Sequence, residues 1–181
     1  IGDDFHAGFG GLQWTVNAYT LALASLILLG GSLGDRLGRR RIFLVGVVWF
    51  AVASLACGLA PDIGTLIAAR ALQGVGGALL TPGSLALISA SFHGADRGAA
   101  VGAWSGLGGI AGAIGPFLGG FLVEWTWRAV FLINLPIAAL VIVVALEHVP
   151  ESRDTGSAPG LDVTGTVLAA LGLGALTYSL T

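Results

Sequence analysis

Residues 42–61 read IFLVGVVWFAVASLACGLAP, twenty consecutive positions without a charged side chain. Three arginines, Arg39 to Arg41, precede this run, and Asp62 closes it. The hydrocarbon core of a bilayer is about 30 Å thick, and a helix that rises about 1.5 Å per residue needs about 20 apolar residues to cross it. The run therefore predicts a membrane-spanning helix with a charge at each end.

Five further runs of similar length carry at most one charge, and they cover residues 14–34, 63–95, 98–123, 129–146 and 163–181. Each run is too long for a strand of a membrane barrel and lacks the strict alternation of such a strand. We therefore expect an all-α fold, a polytopic transmembrane helix bundle with six spans.

Composition excludes several other classes of protein. Of 181 residues, 55% are hydrophobic and only 10% are charged, whereas a soluble domain carries roughly 25% charged residues. The net charge is -2, which offers no broad basic surface for nucleic acid. Cys57 is the only cysteine, so neither an internal disulfide nor a cysteine-based zinc site is expected. The chain opens on Ile1 and closes inside an apolar run, so we interpret it as a segment of a longer protein.

The arginines indicate how the spans are oriented. They are concentrated in alternate connections, 35–41, 93–97 and 147–161, while the remaining connections hold only Arg128. The positive-inside rule places the three richer connections in the cytoplasm. Three tryptophans then fall at outer span ends, where indole rings favour the headgroup region: Trp14, Trp125 and Trp127.

The same connections divide the chain. Residues 1–146 are predicted to form an incomplete N-terminal bundle, and residues 147–161, rich in proline, glycine and polar side chains, a cytoplasmic linker. A further transmembrane helix is expected over 162–181, with Asp162 as its N-cap.

No catalytic constellation is present in the sequence. The three histidines are scattered over span ends, and the chain lacks the lysine that a Walker loop needs. Gly106, Gly108 and Ala111 match a dinucleotide-binding spacing, but they lie inside a charge-free span without a preceding strand. We therefore expect no enzyme, no metal site and no cofactor.

Arg70 is the one charge inside a predicted span. It lies eight residues beyond Asp62, or about 12 Å along a helix axis, where burial is costly unless a partner or an aqueous cavity receives the guanidinium. Helical spacing places four further residues on the same side, which predicts a polar stripe facing an interior pathway: Gln73, Gly77, Thr81 and Ser84. An arginine that snorkels to the outer headgroups is the alternative.

The span over 98–123 is rich in glycine. Gly108, Gly112, Gly115 and Gly119 recur every three or four residues, so one face carries no side chains and allows close approach of another backbone. Pro116 is expected to kink this helix. Either movable or static packing is consistent with the spacing.

In the connection after the first span, the charged side chains lie at the helix ends where the helix dipole disfavours them. Asp35 lies at the C-terminal end of one helix, and Arg39 and Arg40 lie at the start of the next. We expect Asp35 to pair with a nearby arginine. A plain cluster of orienting arginines is the alternative, but it leaves Asp35 unexplained.

These motifs together resemble the major facilitator superfamily of secondary transporters, specifically its drug:proton antiporter branch with fourteen predicted spans. The likeness runs from Leu12 to Leu180. The signature between the second and third helices is matched by Gly31, Leu33, Asp35, Arg36, Gly38, Arg39 and Arg40. The fourth-helix signature, whose arginine is implicated in proton coupling, is matched by Leu66, Arg70, Gln73, Gly74 and Gly76. The antiporter signature of the fifth helix fits Gly112, Gly115, Pro116, Gly119 and Gly120, with Ala111 in place of its leading glycine. The fourteen-span branch is matched by Trp127, Arg128, Phe131, Asn134 and Pro136, followed by Pro150 and Glu151.

The resemblance implies that the spans are the second to seventh helices of a transporter in the bacterial inner membrane. It implies alternating access, in which an inward-moving proton drives a small amphipathic or cationic compound outwards. Arg70 is then expected to keep a nearby carboxylate ionised. Asp35 with Arg39 or Arg40 is expected to lock one conformation against the other half. The implied partners are the bilayer, the small-molecule substrate and the remainder of the chain. An importer or uniporter of the same superfamily and a non-transporting scaffold subunit are the alternatives.

Overall fold

The computed structural model describes residues 1–152 and 163–180. Asp162, Arg153, Thr181 and most of the predicted linker lie outside these ranges. The described residues contain helices and no strands, in the order α1 (Gly2–Phe5), α2 (Phe9–Leu37), α3 (Arg39–Leu59), α4 (Ile63–Ser91), α5 (Gly94–Trp125), α6 (Ala129–Leu132), α7 (Asn134–His148) and α8 (Val163–Leu180).

Within the described residues, five helical segments are long and apolar enough to cross a membrane: α2, α3, α4, α5 and the segment Ala129–His148, which contains α6 and α7. Helix α8, of 18 residues, coincides with the last predicted span. The prediction of an all-α polytopic bundle is therefore confirmed.

The connections between spans are shorter than predicted. Helix α2 continues to Leu37, and Gly38 alone separates it from α3. Gly38 has φ 116°, a conformation that L side chains rarely adopt. The predicted connection 93–97 is wrong in extent, because α5 begins at Gly94 and includes Asp96 in its first turn, where a carboxylate is favoured by the helix dipole.

Helix α4 is the centre of the bundle and packs against both α2 and α3. Glycines make these approaches close. A Cβ atom at Gly74 would lie 2.5 Å from the Tyr19 carbonyl oxygen of α2, and one at Gly76 would lie 2.7 Å from the Phe50 amide nitrogen of α3. Since backbone atoms cannot move aside easily, these positions require glycine.

Prolines shape two helices of the bundle. Pro82 has no amide hydrogen for the carbonyl of Ala78, and that carbonyl lies directly against Gly30 of α2, leaving no room there for a Cβ atom. Pro136 likewise cannot bond the carbonyl of Leu132, and this is where α6 ends and α7 begins after Ile133.

Helix α5 stands at the edge of the bundle. It has no buried residue and touches α4 and α6 only lightly. Its predicted glycine face, from Gly108 through Gly112 and Gly115 to Gly119, has nothing within 4 Å of the positions where Cβ atoms would be.

Candidate transport site

Arg70 lies in α4, half-buried and directed into the bundle towards α2. Its Nε donates to the carbonyl oxygen of Thr15 at 2.8 Å, and its Nη1 donates to Oε1 of Gln73 at 2.6 Å. The guanidinium carbon lies 4.3 Å from the ring centroid of Tyr19, a cation–π distance. Because its donors are bound inside the bundle, Arg70 does not snorkel to the outer surface.

The charge of Arg70 is held by neutral groups. Among the side chains that the structure describes, which do not include that of Asp3, no carboxylate forms an ion pair with it within 4.0 Å. Carbonyl oxygens and an aromatic face stabilise the guanidinium without cancelling its charge. The site therefore presents a fixed positive charge inside the bundle.

A chain of hydrogen bonds continues from Arg70 across three helices. Gln73, in contact with the guanidinium, donates from Nε2 to Oγ of Ser54 on α3 at 2.7 Å. Asn134 of α7 donates from Nδ2 to the same Oγ at 3.4 Å. Gln73 and Ser54 are 1% and 0% exposed, so these bonds are out of reach of solvent. Ser54 was not singled out in the sequence, because a lone serine in an apolar span carries no signal.

The predicted polar stripe of α4 divides instead of forming one face. Gln73 is buried between α4 and α3, whereas Gly77 faces Tyr19 of α2 and Thr81 is exposed. The hydroxyl of Thr81 donates to the carbonyl of Gly77 at 2.7 Å. The stripe therefore turns from the α3 contact at Gln73 to the exposed side of α4 at Thr81, since the two positions are rotated relative to each other about the helix axis.

Thr81 borders an open cleft of about 400 Å³ between α2, α4 and α5, and the lining side chains are Ile27, Thr81, Pro82, Leu85, Ala86, Ser89 and Trp104. The lining is almost entirely apolar, with hydroxyl groups and one indole as polar elements.

At the predicted cytoplasmic end, Asp35 pairs with Arg39. Oδ1 of Asp35 accepts from Nε of Arg39 at 2.9 Å and lies 2.8 Å from Nη2. The expected pairing is therefore present. Gly31 packs against Pro82 with ordinary contact distances, and Arg36 lies in the last turn of α2, where a cation complements the helix dipole.

The N-cap residue of α3, Gly38, has no side chain to accept a bond from the first backbone amides, and the carboxylate of Glu151 takes this role. Its Oε1 accepts from the backbone amide of Arg40 at 3.1 Å, and Oε2 lies 4.0 Å from Nε of Arg41. The guanidinium of Arg40 donates to the carbonyl of Val149 at 2.9 Å. A carboxylate at a helix N-terminus is favourable, so the end of α7 holds the arginine-rich start of α3. A Cβ at Gly38 would lie 2.7 Å from Oε1, so the Glu151 side chain would have to shift to admit it.

Trp127 and Arg128 lie at the opposite end of the bundle. The prediction of a headgroup position is wrong for Trp127, which is 7% exposed and donates from Nε1 to Oδ2 of Asp4 at 2.6 Å. Its ring meets Phe5 and Phe131 edge to face. Arg128 donates to the carbonyls of Gly58 and Ala60 at 2.8 and 2.9 Å, which satisfies the C-terminal end of α3. Trp125, by contrast, is 81% exposed.

Phe131 of the branch motif also lies near Arg70, with its ring centroid 5.8 Å from the guanidinium carbon, but the motif residues of α5 and Pro136 lie apart from it. In α5, Gly112, Gly115, Gly119 and Gly120 contact nothing within 4 Å of their Cβ positions, and Pro116 lies among them. Pro136 is exposed in the first turn of α7. Of the branch motif, only Asn134 joins the hydrogen-bond chain of Arg70.

Comparison with known proteins identifies the class. Residues 1–179 match the Major Facilitator Superfamily. The chain is 44% identical over 177 residues to "Multidrug resistance protein Stp" of Mycobacterium tuberculosis, covering 97% of this chain and 33% of that protein. It is 40% identical over 181 residues to "Tetracenomycin C resistance and export protein" of Streptomyces glaucescens, covering 99% of this chain and 34% of that protein.

A solved structure shows the same fold. A peptide transporter, POT (E310Q mutant) in complex with sulfate, superposes with a TM-score of 0.70 at 16% identity, covering 94% of this chain and 37% of that one. The chain belongs to the Major Facilitator Superfamily, a family of integral membrane transporters and not of enzymes. It spans about a third of the length of the curated relatives it matches.

Proposed function

We propose that the transporter containing this chain exports small amphipathic or cationic compounds from the cell in exchange for protons, by alternating access. The observation that carries the proposal is the environment of Arg70, a charged guanidinium held inside the bundle without a carboxylate partner among the described residues. One similar protein is named for multidrug resistance, and another for tetracenomycin C resistance and export.

The role of Arg70 in proton transfer follows from its positive charge. A carboxylate that approaches a fixed guanidinium favours its ionised form, so it releases its proton near Arg70 and regains it when the two separate. We infer that a proton carrier elsewhere in the transporter meets Arg70 in one conformation only. Substrate then leaves in the conformation that the proton stabilises.

The substrate side of the proposal is supported by the apolar cleft beside Thr81 and Trp104. Trp104 is 40% exposed, and an exposed indole offers a face for a cationic or aromatic compound. The predicted cytoplasmic cluster is the second element: the Asp35–Arg39 ion pair, the Arg41–Glu151 ion pair and the bond from the Arg40 backbone amide to Glu151 can together hold one conformation closed.

The test uses proteoliposomes that carry the full-length protein, a fluorescent cationic aromatic dye as probe, and an imposed proton gradient. Proton-driven dye transport is expected in wild type and is expected to fall at least about 100-fold in Arg70→Ala, because no other group restores the buried charge. Insertion and the monodisperse fraction in detergent should stay normal.

Arg97→Ala is the matched control, since Arg97 is an exposed arginine in the first turn of α5 and its loss should leave transport unchanged. A gradient that does not alter dye flux in wild type contradicts antiport and favours a uniporter. An absence of dye flux in either direction favours a scaffold or another substrate class. Normal coupled transport by Arg70→Ala removes this residue from the mechanism.

A further inference from the structure

The amide of Gln73 has a fixed orientation that follows from the chemistry of its neighbours. A guanidinium carries donors only, so the group bound to Arg70 Nη1 must be the Gln73 carbonyl oxygen, at 2.6 Å. The amide nitrogen then points away from Arg70 and needs an acceptor. In a site where Gln73 is 1% exposed, water does not supply one.

Ser54 is that acceptor. Its Oγ receives the Gln73 amide at 2.7 Å and the Asn134 amide at 3.4 Å. A hydroxyl oxygen has two lone pairs, so it can serve both donors at once. Without Ser54 the amide nitrogen of Gln73 has no acceptor on α3, and only the bond from Arg70 Nη1 and the weak contact from Sγ of Cys57 at 3.9 Å still hold this side chain.

We propose that Ser54 and Asn134 are positioning residues for proton coupling: they hold the Gln73 side chain so that its amide oxygen stays within hydrogen-bond distance of Arg70. This inference rests on the proposed function of Arg70. It adds a role for a serine of α3 and an asparagine of α7, neither of which touches the guanidinium. The chain from Arg70 through Gln73 and Ser54 to Asn134 also means that a shift of α3 or α7 relative to α4 changes the support of the charge.

The first measurement is the rate of proton-driven dye efflux by the full-length protein. Ser54→Ala removes the acceptor and is expected to lower the maximal rate about tenfold. The KM for dye should change by less than about twofold, because Ser54 is buried and does not line the cleft. Asn134→Ala, which removes the longer bond, is expected to lower the rate about threefold. Ser54→Thr retains the hydroxyl and should restore most of the rate.

Ser25→Ala is the matched control. Ser25 is also a buried serine in a spanning helix, but its hydroxyl donates to the Leu21 carbonyl of its own helix at 2.7 Å, so its loss should leave efflux unchanged. The monodisperse fraction of each variant in detergent reports folding.

A double-mutant comparison tests whether Ser54 acts through Gln73. If it does, Ser54→Ala adds no further loss in a Gln73→Leu background, where no amide remains to be oriented. Full additivity of the two losses, or equal rates for Ser54→Ala and Ser25→Ala, overturns the proposal. Arg70→Ala is measured in the same series, so the two proposals are tested separately. If Arg70 has no role in proton coupling, Arg70→Ala remains active. If Arg70 acts as proposed but Ser54 does not position Gln73, Arg70→Ala is inactive and Ser54→Ala is normal.

Discussion

Helices α4 and α5 are similar in composition, but α4 is packed between two helices and α5 lies at the edge of the bundle. Both are rich in glycine, both contain one internal proline, and both are long enough to cross a membrane. In α4 the glycines at 74 and 76 lie against the backbones of α2 and α3, whereas the glycines of α5 meet open space. Glycine spacing thus shows that a face can be approached closely, but it does not show which element approaches it.

The two helices also differ in the functional groups that they carry. Helix α4 carries the charged group, Arg70, and the glycines around it bring two neighbouring helices close enough to bind that group through Thr15 and Gln73. Helix α5 carries no charge between Arg97 and Glu124 and contributes Trp104 to the cleft. One helix is a fixed support, and the other has a face free for contact with another part of the transporter.

The largest expected effect is at Gly30, where α2 meets α4. Gly30→Ala places a methyl group against the carbonyl of Ala78, and the backbone there has no room to give way. We expect a loss of about 3 kcal/mol in the free energy of unfolding, the upper part of the usual range for overpacking. The apparent Tm of the full-length protein in detergent is the measurement.

Gly112→Ala is the matched change in α5. Alanine is a better helix former than glycine by about 1 kcal/mol, and no atom of the described chain obstructs the new methyl group. The apparent Tm should therefore stay constant or rise. Equal destabilisation by the two changes would contradict the contrast between the helices.

Part of this arrangement follows from local sequence, and part does not. The spans and the pairing of Asp35 with Arg39 follow from hydropathy and from charges four residues apart on the chain. The support of α3 by Glu151 joins residues 111 positions apart, and no local pattern predicts it. Trp127 is buried because α1 brings Asp4 and Phe5 to it, so its position depends on a short segment that carried no signal of its own.

A second prediction concerns the open face of α5. Gly115→Leu introduces a large side chain where the described chain has none within 4 Å, so the stability of this bundle should not change. If the face meets another helix of the transporter in one conformation, we expect proton-driven efflux to fall about tenfold, because overpacking of the contact disfavours that conformation.

Gly106→Leu is the control for this change. Gly106 lies on the opposite side of α5, and it is equally open. Efflux should remain normal in this variant. Unaltered efflux in both variants would indicate that the glycine face contacts only lipid, and the contrast between α4 and α5 would then have no functional part.

The smallest expected effect concerns how the two helices begin. Asp62 caps α4: its Oδ1 accepts from the backbone amide of Thr65 at 2.9 Å, and its Oδ2 from the Thr65 hydroxyl at 2.7 Å. His93 precedes α5 and makes no such side-chain bond within the described chain. Asp62→Ala should therefore lower the apparent Tm slightly, and His93→Ala should leave it unchanged.

The cap also has a pH dependence with a definite sign. Hydrogen bonds from Thr65 lower the pKa of Asp62 below its usual value, so the folded state favours the carboxylate. Its contribution is present at pH above the pKa of an unfolded aspartate, about 3.9, and is lost as pH falls through the lower pKa of the folded state. The Tm difference between wild type and Asp62→Ala should thus be constant from pH 8 to about pH 5 and shrink only in stronger acid. A difference that shrinks already near neutral pH would show that Asp62 stabilises α4 through some contact other than this cap.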